Sequence, residues 1–373
     1  MIDWVKRNIG EEFVSDEEAS KIVYESDASQ IEGKAVMVIR PDNVKEIHHL
    51  LLFIRRSNMS LTIRGGGTGL VGGAVPENSI VLDMSRMNRI LEIGNDYVIV
   101  EPGVVLDDLN KKLGNKLFPV IPSSSKACTI GGMIACNAVG TKAVKYGRTE
   151  NWVKEVYLLD GEGRTRKADL KDVLGKEGVT GIIISAKLKI TDKPKAVKVE
   201  IFEFDDLKDL ILRVRSLENI NAAEFINKRA SRLVGMRYKN HLLIERDSDV
   251  NENLELLEKR NGWYPEIARA GYPLIEDPKI PLDKMYEFLT WLEERDIPAF
   301  GHIMAGIIHP CFTDDKRLEN LYEKVFKLNG EITGEHGIGI RKKAYTNKEF
   351  RDKIKKLKSL YDKDELINRG KLI

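Results

Sequence analysis

The chain has 373 residues, of which 42% are hydrophobic and 32% are charged. This length exceeds one simple core and predicts two domains with a smaller third piece, and the composition excludes an intrinsically disordered chain. Lys and Arg total 60 against 58 for Asp and Glu, a formal net charge of +2. Such a balance argues against a nucleic-acid-binding protein.

The cysteines and the apolar segments indicate the cellular compartment and whether the chain spans a membrane. Cys128, Cys136 and Cys311 are too few for a disulfide framework, which favours a reducing cytoplasm. The N-terminus carries charges where a signal peptide needs its apolar run, and no apolar run approaches the length of a membrane span. We therefore predict a cytoplasmic protein without an integral span, and peripheral membrane association stays open.

The first third of the chain alternates strand and helix signals. Residues 35–40 read as a strand, and Asn43 with Glu46 then forms a capping-box pattern before apolar residues at helical spacing. A short helix is predicted from Leu106 to Leu113. Further strands are predicted at 61–63, 80–82 and 97–100.

The middle of the chain changes character twice. Residues 119–147 are rich in Gly, Ser, Ala and Asn, which predicts a long functional loop. The composition shifts again near 193–195, and an α+β domain is predicted from there to about residue 330. Paired strands are predicted at 153–159 and 181–190 with a turn at Asp160–Gly161, a strand at 197–204, and helices at 207–217 and 282–295.

A glycine cluster follows the second predicted strand, with six glycines in the nine positions 65–73. Gly67, Gly69 and Gly72 match the dinucleotide fingerprint literally. Only about ten residues separate Gly72 from Asp83, which leaves no room for the helix that a Rossmann site requires. The glycines instead allow several backbone N–H groups to converge on a phosphate, with Arg64 adding charge. A tight hairpin without a ligand is the alternative.

A second cluster of small residues spans 122–132 and continues through Asn137, Gly140, Tyr146 and Gly147. Small side chains and hydroxyls over this length suit a loop that lies along an extended ligand.

Three of the six histidines fall within 35 residues: His302, His309 and His336, the last beside Glu335. Imidazoles with a carboxylate are plausible ligands of a divalent metal. Seven residues along a helix would hold His302 and His309 about 10 Å apart, so the segment between them must turn back, and Gly306 is the candidate position. Polar residues that simply hydrogen bond to each other are the alternative.

Five motifs carry a resemblance that covers nearly the whole chain. They are "RGGGTGLVGGAVP" at 64–76, "PSSSKACTIGGMIACNAVG" at 122–140, "YGRTENWVKEVYLLDGEG" at 146–163, "GEHGIG" at 334–339 and "LINRGKL" at 366–372. In order and spacing the chain resembles the FAD-linked oxidases of the vanillyl-alcohol-oxidase (p-cresol-methylhydroxylase-type) superfamily. The branch it resembles contains the glycolate oxidase flavin subunit, D-lactate dehydrogenase and D-2-hydroxyglutarate dehydrogenase.

The resemblance implies an α+β fold. Residues 1–195 would form a two-subdomain FAD-binding domain of the p-cresol-methylhydroxylase type. Residues 196–330 would form a shortened α+β cap, or substrate, domain. Residues 331–373 would return to pack on the FAD site.

The resemblance also implies FAD as the cofactor and names the residues that would hold it. The first loop would wrap the pyrophosphate, the second would line the flavin, and the C-terminus would close the site. Thr68 stands where covalent members carry a histidine, and Cys128 matches the pattern of non-covalent relatives, so attachment is expected to be non-covalent. The implied residues are Arg64, Gly65, Gly66, Gly67, Thr68, Gly69, Leu70, Gly73, Pro122, Ser123, Thr129, Gly131, Gly132, Asn137, Gly140, Tyr146, Gly147, Gly178, Ile182, Asn368 and Lys371.

By the same resemblance, His302, His309 and Glu335 would bind a divalent metal such as zinc, and His336 would be the general base. The implied reaction is oxidation of a small 2-hydroxy acid, of the D-lactate or glycolate type, by hydride transfer to flavin. The chain departs from the branch where Ala305-Gly306-Ile307 replaces Asp-Gly-Asn and where Cys311 replaces an asparagine. A cation for the substrate carboxylate is not obvious, and Arg269 and Lys279 are candidates.

Two other interpretations stay open. The chain could be a non-catalytic flavin subunit of a larger oxidase complex, or a flavin enzyme for a non-acid alcohol. The expected partners are the small 2-hydroxy acid and an iron–sulfur or other electron-accepting protein.

Overall fold

The computed structural model describes residues 2–57 and 59–373, and the chain divides into two units. Unit 1 comprises Met1–Ala138, Arg148–Asp192 and Gly337–Ile373. Unit 2 comprises Val139–Gly147 and Lys193–His336. A short segment, 139–147, therefore belongs to unit 2 ahead of the long segment that begins at residue 193. The end of the chain belongs to unit 1.

The strands fall into separate sheets and are numbered in chain order. They are β1 (Val14–Ser15), β2 (Lys34–Ile39), β3 (Leu61–Arg64), β4 (Glu77–Asp83), β5 (Ile90–Ile93), β6 (Tyr97–Val100), β7 (Lys116–Leu117), β8 (Val153–Leu159), β9 (Thr165–Lys167), β10 (Ile182–Lys189), β11 (Thr191–Asp192), β12 (Ala196–Phe204), β13 (Ala222–Ile226), β14 (Asn240–Ser248), β15 (Leu274–Ile275), β16 (Ala299–His302) and β17 (Ile307–Phe312).

The helices are numbered in the same way. They are α1 (Ile2–Ile9), α2 (Glu18–Ile22), α3 (Val44–Ile54), α4 (Leu106–Lys112), α5 (Ile130–Cys136), α6 (Ala143–Tyr146), α7 (Leu170–Val173), α8 (Leu207–Arg215), α9 (Lys228–Leu233), α10 (Glu255–Asn261), α11 (Trp263–Arg269), α12 (Met285–Glu293), α13 (Leu318–Lys327) and α14 (Lys348–Tyr361). Short 3₁₀ turns lie at Glu11–Phe13, Met84–Arg86, Thr149–Asn151, Ile303–Ala305, Asp315–Arg317 and Lys343–Tyr345.

Unit 1 contains a mixed sheet in the order β1-β2-β4-β3 and an antiparallel sheet in the order β5-β6-β10-β8-β9. β4 runs parallel to both β2 and β3. The loop between β3 and β4 contains the first glycine cluster and no helix, so the rejection of a Rossmann site is confirmed. β7 and β11 form a separate short ladder.

Helix α3 shows why the first layer forms. The Asn43 side chain accepts from the Glu46 N–H at 3.1 Å, which confirms the N-cap half of the predicted capping box. The Glu46 carboxylate accepts instead from the N–H of Asp42, one residue before the N-cap. The apolar stripe Ile47, Leu50, Leu51 and Ile54 is fully buried, in one core cluster with residues of β2, β3 and β4.

Unit 2 is built on one antiparallel sheet in the order β12-β14-β13-β16-β17-β15. The amphipathic helices α8 and α12 bury their apolar stripes, Leu207, Leu210, Ile211 and Val214 in α8 and Met285, Phe288, Leu289 and Leu292 in α12. Sheet and helix are mixed in each unit, as the α+β prediction requires.

Two local predictions were wrong in part. The segment 119–147 is not all loop, because Thr129 caps α5 by accepting from the Gly132 N–H, and Ile130, Met133 and Ile134 supply a buried helical stripe. The glycines hid this stripe. The turn at Asp160–Gly161 leads to β9, while β10 pairs with β8 on its other side.

No helix in the described part of the chain is both long enough and apolar enough to cross a membrane.

Candidate functional site

The hairpin β16–β17 brings two predicted metal ligands together in unit 2. Gly306 adopts a left-handed φ of 75° and turns the chain back, as the sequence predicted. His302 then pairs with Ile307, and Phe300 pairs with His309. The two histidines are diagonal neighbours on one face of the sheet, with ring centroids 5.5 Å apart.

The third predicted ligand lies in an irregular loop that one carboxylate organises. Oδ2 of Asp277 accepts the N–H groups of Gly334, Glu335 and His336 at 2.9, 2.7 and 2.7 Å, and the Thr333 hydroxyl at 2.9 Å. Asp277 is fully buried. Backbone amides that converge on one oxygen hold this loop in a single shape, so that Glu335 and His336 are presented together.

The loop and the hairpin meet in a compact donor cluster within unit 2. Oε1 of Glu335 lies 3.1 Å from Nε2 of His309 and 3.4 Å from Nε2 of His336, and Oε2 lies 3.7 Å from Nε2 of His302. One ligand atom from each of His302, His309 and Glu335 lies within 4.8 Å of the others. The structure thus brings all four predicted residues together, and two imidazoles with a carboxylate fit a divalent cation such as zinc.

Each of the two histidines predicted as metal ligands has an acceptor for its Nδ1 atom. Nδ1 of His302 lies 2.6 Å from Oε1 of Glu224, and Nδ1 of His309 lies 3.1 Å from the Glu276 carbonyl oxygen. Glu224 also accepts from Nε of the buried Arg260 at 2.7 Å. With the Nδ1 atoms so engaged, both Nε2 atoms face the Glu335 carboxylate.

The cluster shifts the titration of its members. Burial alone would raise the pKa of Glu335, but the charge of His302 and hydrogen bonds from His309 and His336 hold that pKa well below its usual value. Burial would also lower the pKa of His302, yet Glu224 and Glu335 raise it overall. For His309 the burial effect prevails and the pKa is lowered. Glu335 is therefore held as an anion by the imidazoles around it.

The departures from the family pattern have clear positions. Ala305, Gly306 and Ile307 form the hairpin turn without a polar side chain, and Cys311 is buried with its thiol 3.6 Å from the His309 carbonyl oxygen. Arg269 and Lys279, the two candidate cations, form ion pairs with Glu266 and Glu331, and both side chains are largely exposed.

The first glycine loop occupies residues 65–76 of unit 1, between β3 and β4. Gly67 has a φ of 64°, and a Cβ built on Gly69 would meet no atom within 4 Å. Among residues 2–57 and 59–373, no acceptor takes the N–H groups of Gly66, Gly67, Thr68 or Gly69. Arg64 donates to the Ser26 carbonyl at 2.8 Å. Leu70 is half-buried, and Gly73 has only the Glu177 carboxylate near its open side.

The two predicted flavin loops touch within unit 1. A Cβ on Gly65 would lie 2.3 Å from Oγ1 of Thr129, and a Cβ on Gly66 would lie 2.0 Å from the Ala127 carbonyl oxygen. Gly131 packs as closely on Pro102, while Gly132 donates its N–H to Thr129. Pro122 is half-buried and Ser123 is exposed, and both lie at the turn before this contact. Some of these glycines are therefore needed because the two loops pack closely, and others leave the backbone exposed.

The remaining predicted residues of the second loop have structural partners. Asn137 ends α5 in a left-handed conformation and bonds to Glu150 through both side-chain atoms. Gly140 accepts the Ala143 N–H, and Gly147 ends α6 with a φ of 70°. The Lys145 ammonium lies 5.2 Å from the ring centroid of Tyr146, within unit 2.

The C-terminal predictions converge on a buried polar cluster in unit 1. Asn368 accepts from the Ile63 N–H at 2.8 Å and donates to the Glu177 carbonyl at 2.7 Å, while Lys371 donates to the Val75 carbonyl. Gly178 has a φ of 72° and lies against Asn368. The side chain of Ile182 belongs to the apolar core.

These features fit FAD in unit 1. The open side of Gly69 is a cradle that a Cβ would fill, and consecutive amide donors without a protein acceptor are typical of a phosphate-binding loop. The residues that would hold the cofactor are those of the two contacting loops.

Comparison with known proteins agrees with this architecture. The FAD binding domain matches residues 35–169, and the C-terminal domain of FAD linked oxidases matches residues 239–372. The chain thus carries both the FAD binding domain and the C-terminal domain of FAD linked oxidases, in the order that the sequence resemblance implies.

The relatives confirm the predicted branch. The chain is 29% identical to glycolate oxidase subunit GlcD of Bacillus subtilis (strain 168), over 97% of this chain and 94% of that protein. It is 26% identical to D-lactate dehydrogenase of Anaerostipes hadrus, over 98% and 93%, and 25% identical to mitochondrial D-2-hydroxyglutarate dehydrogenase of Bos taurus, over 92% and 78%. A solved alkyldihydroxyacetonephosphate synthase shares the fold at a TM-score of 0.69 and 16% identity, over 98% of this chain and 85% of that one.

Sequence reasoning missed four buried charged residues that organise these sites: Glu224, Arg260, Asp277 and Glu177. Each stands in an ordinary strand, helix or loop pattern, and each acts on residues far away in the chain. A charged residue within an otherwise apolar strand, such as Glu224 in Ala222–Ile226, was the available signal.

Proposed function

We propose that this protein oxidises a small 2-hydroxy acid to the 2-oxo acid, with FAD as the electron acceptor and a divalent metal bound by His302, His309 and Glu335. The cluster of these ligands with His336 carries the proposal, since Nε2 of His336 lies 3.4 Å from the Glu335 carboxylate. The relatives that oxidise glycolate, D-lactate and D-2-hydroxyglutarate support the substrate class.

The bound groups would supply the two capacities that side chains lack. When bound, FAD would supply an acceptor for the hydride from C2 of the substrate, and a divalent metal would supply a Lewis acid that polarises the substrate oxygens. His302, His309 and Glu335 would hold that cation through two nitrogens and one oxygen.

His336 would take the proton from the substrate hydroxyl. It follows Glu335 directly, and Asp277 fixes both residues by accepting their N–H groups. His336 stands beside the predicted metal ligands, where a general base for a substrate hydroxyl held there would be needed.

The substrate site would be small and apolar on the hairpin side. The turn offers Ala305 and Ile307 where the family pattern has polar residues, and Phe300 stands 5.0 Å from the His309 ring. We therefore favour short hydroxy acids of the D-lactate or glycolate type over dicarboxylic ones. The buried cation of this region, Arg260, is already engaged by Glu224.

The assembled cluster argues against a non-catalytic flavin subunit. A chain without chemistry has no need to bury Glu335 among three imidazoles, because burial of such a charge is costly. An iron–sulfur or other electron-accepting protein remains our proposed partner, and the cytoplasm our proposed location, since the cysteines are free.

The test is the visible spectrum of the purified protein under anaerobic conditions, before and after addition of D-lactate, glycolate or D-2-hydroxyglutarate. We expect a flavin spectrum that one of the first two acids bleaches. A flavin spectrum that no hydroxy acid changes would refute the proposed reaction, and metal analysis of the same sample reports the cation separately.

Substitution of the base sharpens this test. His336→Ala should retain flavin while its reduction slows about 100-fold or more. His49→Ala, on α3 of unit 1, is the control and should reduce its flavin at the normal rate. Unchanged reduction in His336→Ala would remove this residue from the mechanism.

A further inference from the structure

We propose that Glu224, held by Arg260, is a positioning residue that presents Nε2 of His302 to the metal. This inference rests on the proposed metal site and adds to it a pair of residues that touch neither metal nor substrate. The inference concerns which ring nitrogen of His302 carries the proton. The position of that proton decides whether Nε2 has a free lone pair for the cation.

The sheet places the two side chains opposite each other. β13 runs antiparallel to β16, and Glu224 is the direct partner of His302 in that register. Oε1 of Glu224 lies 2.6 Å from Nδ1 of His302, and both side chains are buried. Cross-strand partners on one face lie side by side, so the contact follows from strand pairing.

Arg260 fixes the other half of the carboxylate. Its Nε and Nη2 both donate to Oε2 of Glu224, Nε at 2.7 Å and Nη2 at 2.5 Å. Oε1 of the same carboxylate is left to face His302. Because both donors converge on Oε2, that oxygen is engaged by Arg260 and Oε1 is available to His302.

An acceptor at Nδ1 determines the state of the ring. The imidazole must direct an N–H toward Glu224, and in the neutral ring its Nε2 lone pair is then free. A histidine that ligates metal commonly donates its second N–H to a carboxylate or a carbonyl. His309 follows the same rule with the Glu276 carbonyl at 3.1 Å.

Stability alone gives a poor account of this arrangement. A buried ion pair often contributes no more than well-packed apolar residues of similar volume, because both charges lose their hydration. Glu224 and Arg260 are both buried within unit 2. Their arrangement is explained by what it does to His302.

The experiment is a titration of metal-free protein with Zn²⁺ in the presence of a competing chelator. Glu224→Gln keeps the shape and removes the charge, and we expect its Zn²⁺ affinity to fall about 10- to 100-fold. Glu101→Gln is the matched control, since Glu101 is a buried glutamate that accepts from Arg89 in unit 1, without a histidine. Its Zn²⁺ affinity should equal that of the wild type.

A second measurement reports on the imidazole ring of His302 alone. In Zn²⁺-loaded protein with ¹⁵N-labelled histidine, we expect a Nδ1–H signal of His302 protected from exchange, assigned by its loss in His302→Gln. Glu224→Gln should lose that protection. If Glu224→Gln does not fold, Arg260→Lys serves instead, because lysine keeps the charge but not the fork, and it should weaken Zn²⁺ binding measurably.

The outcomes separate this inference from the proposed function. Equal Zn²⁺ affinity of the wild type and the folded variant would overturn the role of Glu224 while leaving the metal site intact. An equal loss in Glu101→Gln would overturn it too. A wild-type protein that binds no Zn²⁺ would overturn the metal-assisted reaction itself.

Discussion

Asp277 contacts His336 twice, through the backbone and through the ring. Its Oδ2 accepts the His336 N–H at 2.7 Å, and its Oδ1 lies 3.5 Å from Nδ1 of the same residue. The carboxylate thus fixes where the histidine stands and which ring nitrogen faces a negative charge. A negative charge at this place favours a proton on Nδ1, which would leave Nε2 as the basic atom.

Asp277→Asn should therefore disable the base while leaving the loop in place. One amide oxygen can replace Oδ2 as the acceptor for the loop, but the amide NH₂ then faces Nδ1 and favours the opposite tautomer. We expect flavin reduction to slow by about 100- to 10,000-fold, as when an orienting aspartate is lost in other enzymes. Stopped-flow measurement of flavin bleaching tests this, and a rate within twofold of the wild type would contradict it.

Loss of one histidine ligand should weaken metal binding and leave flavin binding unchanged. His309→Gln removes a nitrogen that lies 3.1 Å from Glu335. We expect its Zn²⁺ affinity to fall by more than roughly 100-fold, which is the largest loss expected for a residue that only hydrogen bonds to a ligand. The flavin spectrum should not change, because the flavin loops belong to unit 1. Elemental analysis and absorbance of one sample measure both.

His241→Gln is the control for that substitution. His241 is also a buried histidine of unit 2, and its Nδ1 lies 2.9 Å from the Ser231 hydroxyl. It should keep wild-type metal content. Equal metal loss in both variants would indicate general damage to unit 2, and normal metal in His309→Gln would remove this residue from the ligand set.

Local patterns in the sequence were enough to predict part of this structure. The N-cap at Asn43 and the turn at Gly306 follow from a few adjacent residues, and both are confirmed. The proximity of His302 to His309 followed from the reach of a metal–nitrogen bond. These predictions needed no knowledge of distant contacts.

The supporting residues could not be found in that way. Asp277 binds a loop 56 to 59 positions later, and Glu224 meets a histidine 78 positions away. Such pairs depend on the order of strands in the sheet, which periodicity does not report. Helix α5 was missed for another reason, because Gly131 and Gly132 dilute its apolar stripe although Thr129 caps it.

Two neighbouring glycines of the first loop should respond differently to the same added methyl group. In Gly66→Ala the Cβ would lie 2.0 Å from the Ala127 carbonyl oxygen, so we expect the free energy of unfolding to fall by about 1–3 kcal/mol. In Gly69→Ala the Cβ meets no protein atom, so stability should not change. FAD affinity should nevertheless fall about tenfold, the loss of roughly one hydrogen bond.

Chemical denaturation of the flavin-free variants and titration with FAD measure the two effects. Gly69→Ala serves as the control for Gly66→Ala in stability, and wild-type protein as the control in affinity. Normal FAD affinity in Gly69→Ala would show that the open side of this glycine does not face the cofactor.

The buried Glu177 should make stability depend on pH. Burial raises its pKa to about 7, although the N–H groups of Ile338 and Gly339 donate to it at 2.6 and 2.9 Å and partly offset the shift. The ordinary value is 4.5, so between pH 4.5 and 7 the folded state holds a proton that the unfolded state has lost. The contribution of Glu177 to the free energy of unfolding is therefore full below pH 4.5 and falls as the pH rises to 7.

Glu177→Gln removes this dependence. The variant loses an acceptor for one of the two N–H groups at every pH, but the wild type also loses its proton-linked stability as the pH rises. The destabilisation caused by Glu177→Gln should thus be greater at pH 5 than at pH 8, by on the order of 3 kcal/mol. Glu155→Gln is the control, and its destabilisation should change with pH in the opposite direction, because a hydrogen bond from Lys167 lowers the pKa of Glu155. Equal destabilisation of Glu177→Gln at both pH values would show that the buried carboxylate is ionised throughout.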